Sequence, residues 1–243
     1  MKNEILEFGA VTRKPEIRYA ENMGEVILDK GWLKENSKAK LYYMYRDLWK
    51  KGDKEKIREN SLRYDITIIP PRNIGKEYVK TKGHYHPESS PGITYPELYE
   101  VMEGKAHYLL QKRSSKGILE DVFLVEANEG EKALIPPNYG HITINPDPDK
   151  SLKMSNWVDR SFDSIYEDIL ELGGGGYFEL TSGEFIKNEN YDQVPELRKV
   201  KATEIPELGI ESGKDMYEII ENPEDLELLK EPEKYESIFE KVI

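Results

Sequence analysis

The sequence predicts a mainly β protein: a barrel or sandwich of short strands with helical segments at its N- and C-terminal flanks. Three observations carry this expectation. From about Tyr64 to Trp157, short apolar runs alternate with turn residues, as in YDITIIPPR, ELYEVMEG, KAHYLLQK, DVFLVEANEG, KALIPPNYGHITIN and LKMSNWV. Many short strands at such spacing are the signature of an all-β architecture. The turns are explicit, at Glu103-Gly104, Asn128-Glu129-Gly130 and Pro136-Pro137-Asn138. Helical periodicity is confined to later stretches, first in DSIYEDILEL with Ile165, Ile169 and Leu172 on one face.

Taken in order, residues 1–35 mix short apolar stretches with charges and give no strong pattern. Residues 41–45, LYYMY, are rich in β-forming aromatics and read as a strand, although LYYMYRDLWKK could also open a helix. GDKEKIREN at 52–60 is a solvated turn or short helix. The run Gly173 to Gly176 ends the DSIYEDILEL helix, and residues 225–230 and 235–242 read as short terminal helices. Two units are expected: residues 1–186 as the barrel with its N-terminal extension, and 187–243 as an acidic appendage packed on the barrel or on a dimer partner.

Composition narrows the function. With 243 residues the chain is long enough to bury a substantial core. It has no cysteine, which excludes disulfides and thiolate metal sites. A net charge of −12 argues against nucleic acid, because a phosphate backbone needs a basic face. A local cluster of donors can still bind a small anion. No apolar run reaches the length of a membrane span, and the start MKNEILEFGA has no apolar signal core. A cytoplasmic protein with no membrane partner is the expectation.

The chemistry is concentrated in the histidines, of which there are four. His84 and His86 form an H-x-H pair, and on a strand residues i and i+2 point to one face, so two imidazoles could reach one metal. Glu97 follows eleven positions after His86 and opens ELYEV. Its carboxylate is a hard donor suited to Fe, Mn, Ni or Zn beside imidazole. His141 follows a Pro-rich turn and begins HITIN. His107, in KAHYLLQ, matches no ligand position and is expected to be a strand histidine, hydrogen-bonded locally or facing solvent.

The spacing around these residues resembles the cupin superfamily. The matching patterns are HYH, E-x6-G from Glu97 to Gly104, and G-x5-P-x4-H-x3-N from Gly130 to Asn145. There are two departures. Asn138 stands where the second motif usually has glycine, and asparagine tolerates the left-handed backbone that such a turn needs. Ten residues, PESSPGITYP, separate His86 from Glu97, where three or four are usual.

A narrower resemblance covers roughly residues 40–180. TKGHYH (81–86), ELYEV (97–101) and IPPNYGHITIN (135–145) look like the cupin-type glucose-6-phosphate isomerases found mainly in archaea. The run Ile74-Gly75-Lys76-Glu77 and residues 159–166 are similar too. The resemblance implies a cupin barrel (a double-stranded β-helix, or jelly roll). It implies a homodimer that interconverts glucose 6-phosphate and fructose 6-phosphate in glycolysis and gluconeogenesis. It also implies one divalent metal per subunit, most often iron, with nickel, manganese or zinc as alternatives. By this resemblance the metal ligands are His84, His86, Glu97 and His141. The phosphate contacts are Thr67, Thr81 and Gly83. Tyr42, Tyr99 and Tyr166 are the substrate-contacting tyrosines. The family's histidine just before the last tyrosine is absent, since this chain reads Ser164-Ile165-Tyr166.

The residues allow that chemistry. A hydroxyl at Thr81 and a backbone N–H at Gly83, which has no Cβ to bar close approach, can together hold a phosphate. Strand alternation would turn Lys82 away from them. The competing reading makes Gly83 a bulge and Lys82 a surface cation. A metal ion there would act as a Lewis acid on the sugar's C1 and C2 oxygens. Glu97 is the best candidate base for moving a proton between the two carbons, and Tyr99 should share its face. Metal ligation weakens Glu97 as a base, so either it leaves the metal or hydrogen moves as hydride. Tyr99 read structurally is a core aromatic. Rival functions are another metal-dependent cupin enzyme (a dioxygenase, decarboxylase or mannose 6-phosphate isomerase) and a non-catalytic sugar- or metal-binding cupin.

Overall fold

The computed structural model describes residues 4–202 and 204–243. Ten strands build the two main sheets: β1 (Glu16–Tyr19), β2 (Lys40–Tyr45), β3 (Leu62–Ile69), β4 (Glu97–Glu103), β5 (Lys105–Ser115), β6 (Ile118–Asn128), β7 (Lys132–Ile135), β8 (Tyr139–Ile144), β9 (Leu152–Asp159) and β10 (Arg198–Lys201). The six-stranded sheet runs β7-β4-β9-β3-β2-β1 with every neighbour antiparallel. The four-stranded sheet runs β8-β5-β6-β10, antiparallel except for the last pair. Tyr99 and Val101 of the first sheet and Ala106, Tyr108 and Phe123 of the second share one buried core. The two sheets therefore face each other as a cupin barrel.

Local sequence explains the elements. The β4 strand ends at Gly104, where φ is +86° and an added Cβ would meet the Ser151 carbonyl oxygen at 2.6 Å. Glycine alone fits that turn, which accounts for the E-x6-G spacing. The aromatic run near residue 42 is a strand, not a helix, and the 52–60 stretch contains a short helix, α1 being Lys30–Glu35 and α2 Lys54–Glu59. DSIYEDILEL is helical only over α3 (Glu167–Glu171). Ile169 is fully buried there, whereas Ile165 pairs its backbone with Tyr85. The patternless N-terminal region holds strands at Leu6–Phe8 and Val11–Arg13 as well as β1. The terminal helices are a 3-10 segment, Pro223–Leu229, and a short α4 (Glu236–Phe239).

Each strand of the six-stranded sheet has two distinct faces. Tyr64, Ile66, Leu98 and Trp157 point out of the barrel into a second core, against Met216, Tyr217, Leu226, Leu229 and Phe239 of the tail. Trp157 Nε1 donates to the Met216 carbonyl at 3.0 Å, and Tyr64 meets Tyr217 edge-on with centroids 4.9 Å apart. Acidic as the tail is overall, its apolar residues lie against this sheet. Among the described residues no helix is long and apolar enough to cross a membrane.

Candidate metal centre and substrate cavity

The inner face of the same sheet carries polar residues in register. Thr67 lies opposite Met44 and Met154, Asp65 opposite Asn156, Tyr99 opposite Asn156, and Glu97 opposite Val158. Because side chains alternate along a strand, these residues share the cavity side while Tyr64, Ile66 and Leu98 face away. His141 comes from β8 across the barrel. His84 lies opposite His141 through a two-bond bridge, with N–H to carbonyl distances of 3.2 and 3.0 Å.

The four expected ligands converge. Donor atoms of His84, His86, Glu97 and His141 all lie within 4.8 Å of one another. His84 Nε2 and His86 Nε2 are 3.2 Å apart, and Glu97 Oε2 is 3.4 Å from His86 Nε2 and 3.3 Å from His141 Nε2. The expectation of a continuous strand through H-x-H is corrected: residues 84 and 85 make only isolated bridges, to His141 and Ile165. The two rings still reach one point because His141 and Ile165 pin the backbone between them.

Electrostatics suits a cation. The carbonyl of Tyr95 can only accept, so His86 Nδ1, 2.8 Å away, must donate to it. A neutral His86 ring then has its Nε2 lone pair turned toward the cluster. Burial, with His141 and His86 beside it, holds the His84 imidazole well below its usual range, and burial lowers His141 as well. Burial alone would raise the Glu97 carboxyl, but His141 and His86 outweigh it and hold it well below the ordinary carboxylate range. His84 and His141 are thus biased toward neutral imidazoles and Glu97 toward a carboxylate, the forms in which these groups ligate metal. Buried Glu97 Oε2 has no hydrogen-bond partner among the described residues, which fits a site built for a positive ion.

The cavity above this cluster brings together every residue expected to contact substrate: Tyr42, Thr67, Thr81, Gly83, Tyr99 and Tyr166. Thr81 Oγ1 accepts from the Thr143 N–H at 2.9 Å, leaving its own proton free for another acceptor. Gly83 has φ +80°, and a Cβ there would meet Ile142 Cγ1 at 2.5 Å, so packing requires glycine as much as ligand approach does. Residues 81–83 are not strand, so alternation does not apply and Lys82 also lines the cavity. Burial, then the Glu97 charge, pushes the Tyr99 hydroxyl well above its usual range, so it keeps its proton; its oxygen lies 3.2 Å from His141 Nε2. His107 lies outside the cavity and bonds to Glu179 at 2.9 Å.

Sequence reasoning missed Arg46, Arg63, Asp65, Asn156 and Phe162, which also line the cavity. Buried Asp65 lies 2.9 Å from Arg63 Nε and 3.4 Å from Arg46. The signal existed: Arg63 and Asp65 precede Thr67 by four and two positions on one strand, and Arg46 follows Tyr42 by four.

A model of the glucose-6-phosphate isomerase (GPI) family matches residues 18–196. The chain belongs to that family. Among curated members, the glucose-6-phosphate isomerase of Thermococcus litoralis is 30% identical over 122 residues, covering 45% of this chain and 60% of that protein. That of Pyrococcus furiosus is 25% identical over 135 residues, covering 55% and 64%. The chain thus spans less than two thirds of the length of these relatives. An oxalate decarboxylase structure from Bacillus subtilis is 15% identical, covering 52% of this chain and 28% of that one, with a TM-score of 0.36. The fold assignment rests on strand order and core, not on that likeness.

Proposed function

We propose that the chain is a metal-dependent aldose–ketose isomerase that interconverts glucose 6-phosphate and fructose 6-phosphate, a step shared by glycolysis and gluconeogenesis. One observation carries the reading: the His84, His86, Glu97 and His141 cluster opens into the same cavity as Thr67, Thr81 and Gly83. Family membership supplies the substrate class. A divalent ion held by these four residues, with iron, manganese, nickel or zinc suited to the donor set, would polarise the sugar's C1 and C2 oxygens.

The chain's own residues account for the rest. Thr81 donates its free hydroxyl proton to a phosphate oxygen, and Thr67 and the Gly83 backbone complete that end of the cavity. Glu97, held ionised, takes the proton from one carbon and returns it to its neighbour. Tyr99, held protonated and two residues along the same face, donates to a sugar oxygen. Tyr42 and Tyr166 flank the sugar, and Ser164 lines the cavity where the family carries histidine. The active form is a homodimer.

The test is direct. Protein stripped of metal and reloaded with single divalent ions is supplied with fructose 6-phosphate, and glucose 6-phosphate is detected by a coupled reaction. Activity that disappears on stripping and returns with one or more ions is expected. Full activity in the stripped protein would remove the metal from the proposal, and no turnover with any ion would remove the isomerase assignment.

A further inference from the structure

The two departures from the cupin motifs touch each other in the folded chain. The ten residues between His86 and Glu97 form a small hairpin, Glu88–Ser90 against Ile93–Thr94. Asn138, in place of the usual glycine, grips that hairpin with three hydrogen bonds. Its backbone N–H donates to Thr94 Oγ1 at 2.6 Å, its Oδ1 accepts from the Thr94 N–H at 3.1 Å, and its Nδ2 donates to the Gly92 carbonyl at 3.0 Å. Asn138 has φ +71°, a value that glycine adopts with less strain. The turn by itself therefore does not call for asparagine, whereas two of the three bonds need its side chain.

One residue beyond Thr94 the hairpin reaches the metal centre. The Tyr95 carbonyl accepts from His86 Nδ1 at 2.8 Å, and the Tyr95 N–H closes the hairpin's base on the Pro87 carbonyl at 3.1 Å. The Tyr95 ring stacks on Phe162 with centroids 4.7 Å apart and planes at 19°, and Phe162 packs on the His86 ring, also at 4.7 Å. His86 is thus held on its far nitrogen by a carbonyl, and its ring is packed at a tilt by Phe162, which Tyr95 backs. A hydrogen bond on the far nitrogen sets which nitrogen is free to bind metal.

We propose that Asn138 is a positioning residue for His86: it anchors the inserted hairpin so that the Tyr95 carbonyl holds His86 as the Nδ1–H tautomer, with Nε2 presented to the metal. The two departures are then one device, since the insertion supplies the carbonyl and the asparagine fixes the insertion. The inference rests on the metal-centre reading above.

Asn138→Gly tests it, because glycine keeps the left-handed turn and removes only the side-chain bonds. Nitrogen-15 spectra of histidine-labelled, metal-free protein, taken where the imidazoles are neutral, report the tautomer. The parent should show His86 as a single Nδ1–H form, and Asn138→Gly should show a mixture, with His141 unchanged. Metal dissociation constants from chelator competition should weaken by about tenfold or more, the usual effect of losing a partner behind a ligand. Asn138→Asp keeps the left-handed turn and the acceptor for the Thr94 N–H but removes the Nδ2 donor to the Gly92 carbonyl, and it should move the tautomer in the same direction. A folded Asn138→Gly protein with a single His86 tautomer and parent affinity would overturn the proposal. If that variant does not fold, an unshifted tautomer in Asn138→Asp overturns it instead. A parent that binds no divalent ion would defeat the metal reading, while the tautomer comparison, made without metal, would still decide whether Asn138 anchors His86.

Discussion

The two faces of the six-stranded sheet are built from alternate residues of the same strands, yet they solve different problems. Outside, Tyr64, Trp157 and Leu98 are buried by the chain itself, because residues 205–242 supply an apolar cover. Inside, Asp65, Asn156, Glu97 and Tyr99 are equally buried but polar, and what they surround is a cavity. Burying polar groups is costly unless each finds a partner, and Glu97 Oε2 finds none among the described residues. The outer face also leaves the Tyr64 and Ser155 hydroxyls without a partner among the described residues, but these are neutral groups, whereas the unpaired group of the inner face is a carboxylate that opens on a cavity. Substitutions on the two faces should therefore separate activity from stability.

The largest effect is expected at the metal centre. His141→Ala should abolish metal binding, measured by elemental analysis, and nearly all turnover, while the apo protein melts near the parent temperature. His107→Ala, at the strand histidine outside the cavity, should leave metal content unchanged. Retention of parent metal content by His141→Ala would erase that ligand. Next, Glu97→Gln keeps a carbonyl oxygen but cannot accept a proton. It should lose about 10²–10⁴-fold in kcat, the usual worth of positioned acid–base catalysis, and keep part of its metal. Near-parent turnover with metal bound would show that Glu97 is only a ligand.

On the outer face the expectation reverses. Trp157→Ala should cost about 3–5 kcal/mol of stability, as for a large aromatic deleted from a core, with kcat per folded molecule unchanged at a temperature where the variant stays folded. A selective loss of kcat would mean that the two faces are coupled through β9. The smallest effect belongs to the phosphate end. Thr81→Val should raise KM for fructose 6-phosphate by an amount equivalent to about 1–3 kcal/mol, because a bond to a charged group is lost, with kcat nearly constant. An unchanged KM would place the phosphate elsewhere, and Lys82, Arg46 and Arg63 would then be the cations to vary.

Much of this was legible because it depends on periods and spacings. The strands follow from alternation, and the convergence of His84, His86, Glu97 and His141 follows from motif spacing plus two turns. The parts that were not legible depend on register between strands far apart in sequence. Asp65 faces the cavity between Arg63 and Arg46 only because β2 pairs with β3 in one particular register. Lys82 enters the cavity because Gly83 breaks the strand that alternation presumes. The tail reads as acidic from composition, but its Met216, Leu226 and Leu229 are spaced by short 3-10 turns rather than by a clear helical stripe. Their common burial became evident only against Tyr64 and Trp157.

The parallel strand β10 has a consequence for how copies of the chain can meet. It closes one margin of the four-stranded sheet with Arg198, Lys199 and Lys201 exposed, and only Val200 leans on the core. Arg198 pairs with Asp121 at 2.7 Å and Lys199 with Glu126 at 2.8 Å, so the cations are held along that margin. An uncovered strand edge invites another chain to add to it, and lysines and arginines placed there oppose this. A strand adding to this margin would have to pass those ion pairs and the exposed Lys201 side chain. Aggregation by sheet extension is disfavoured there.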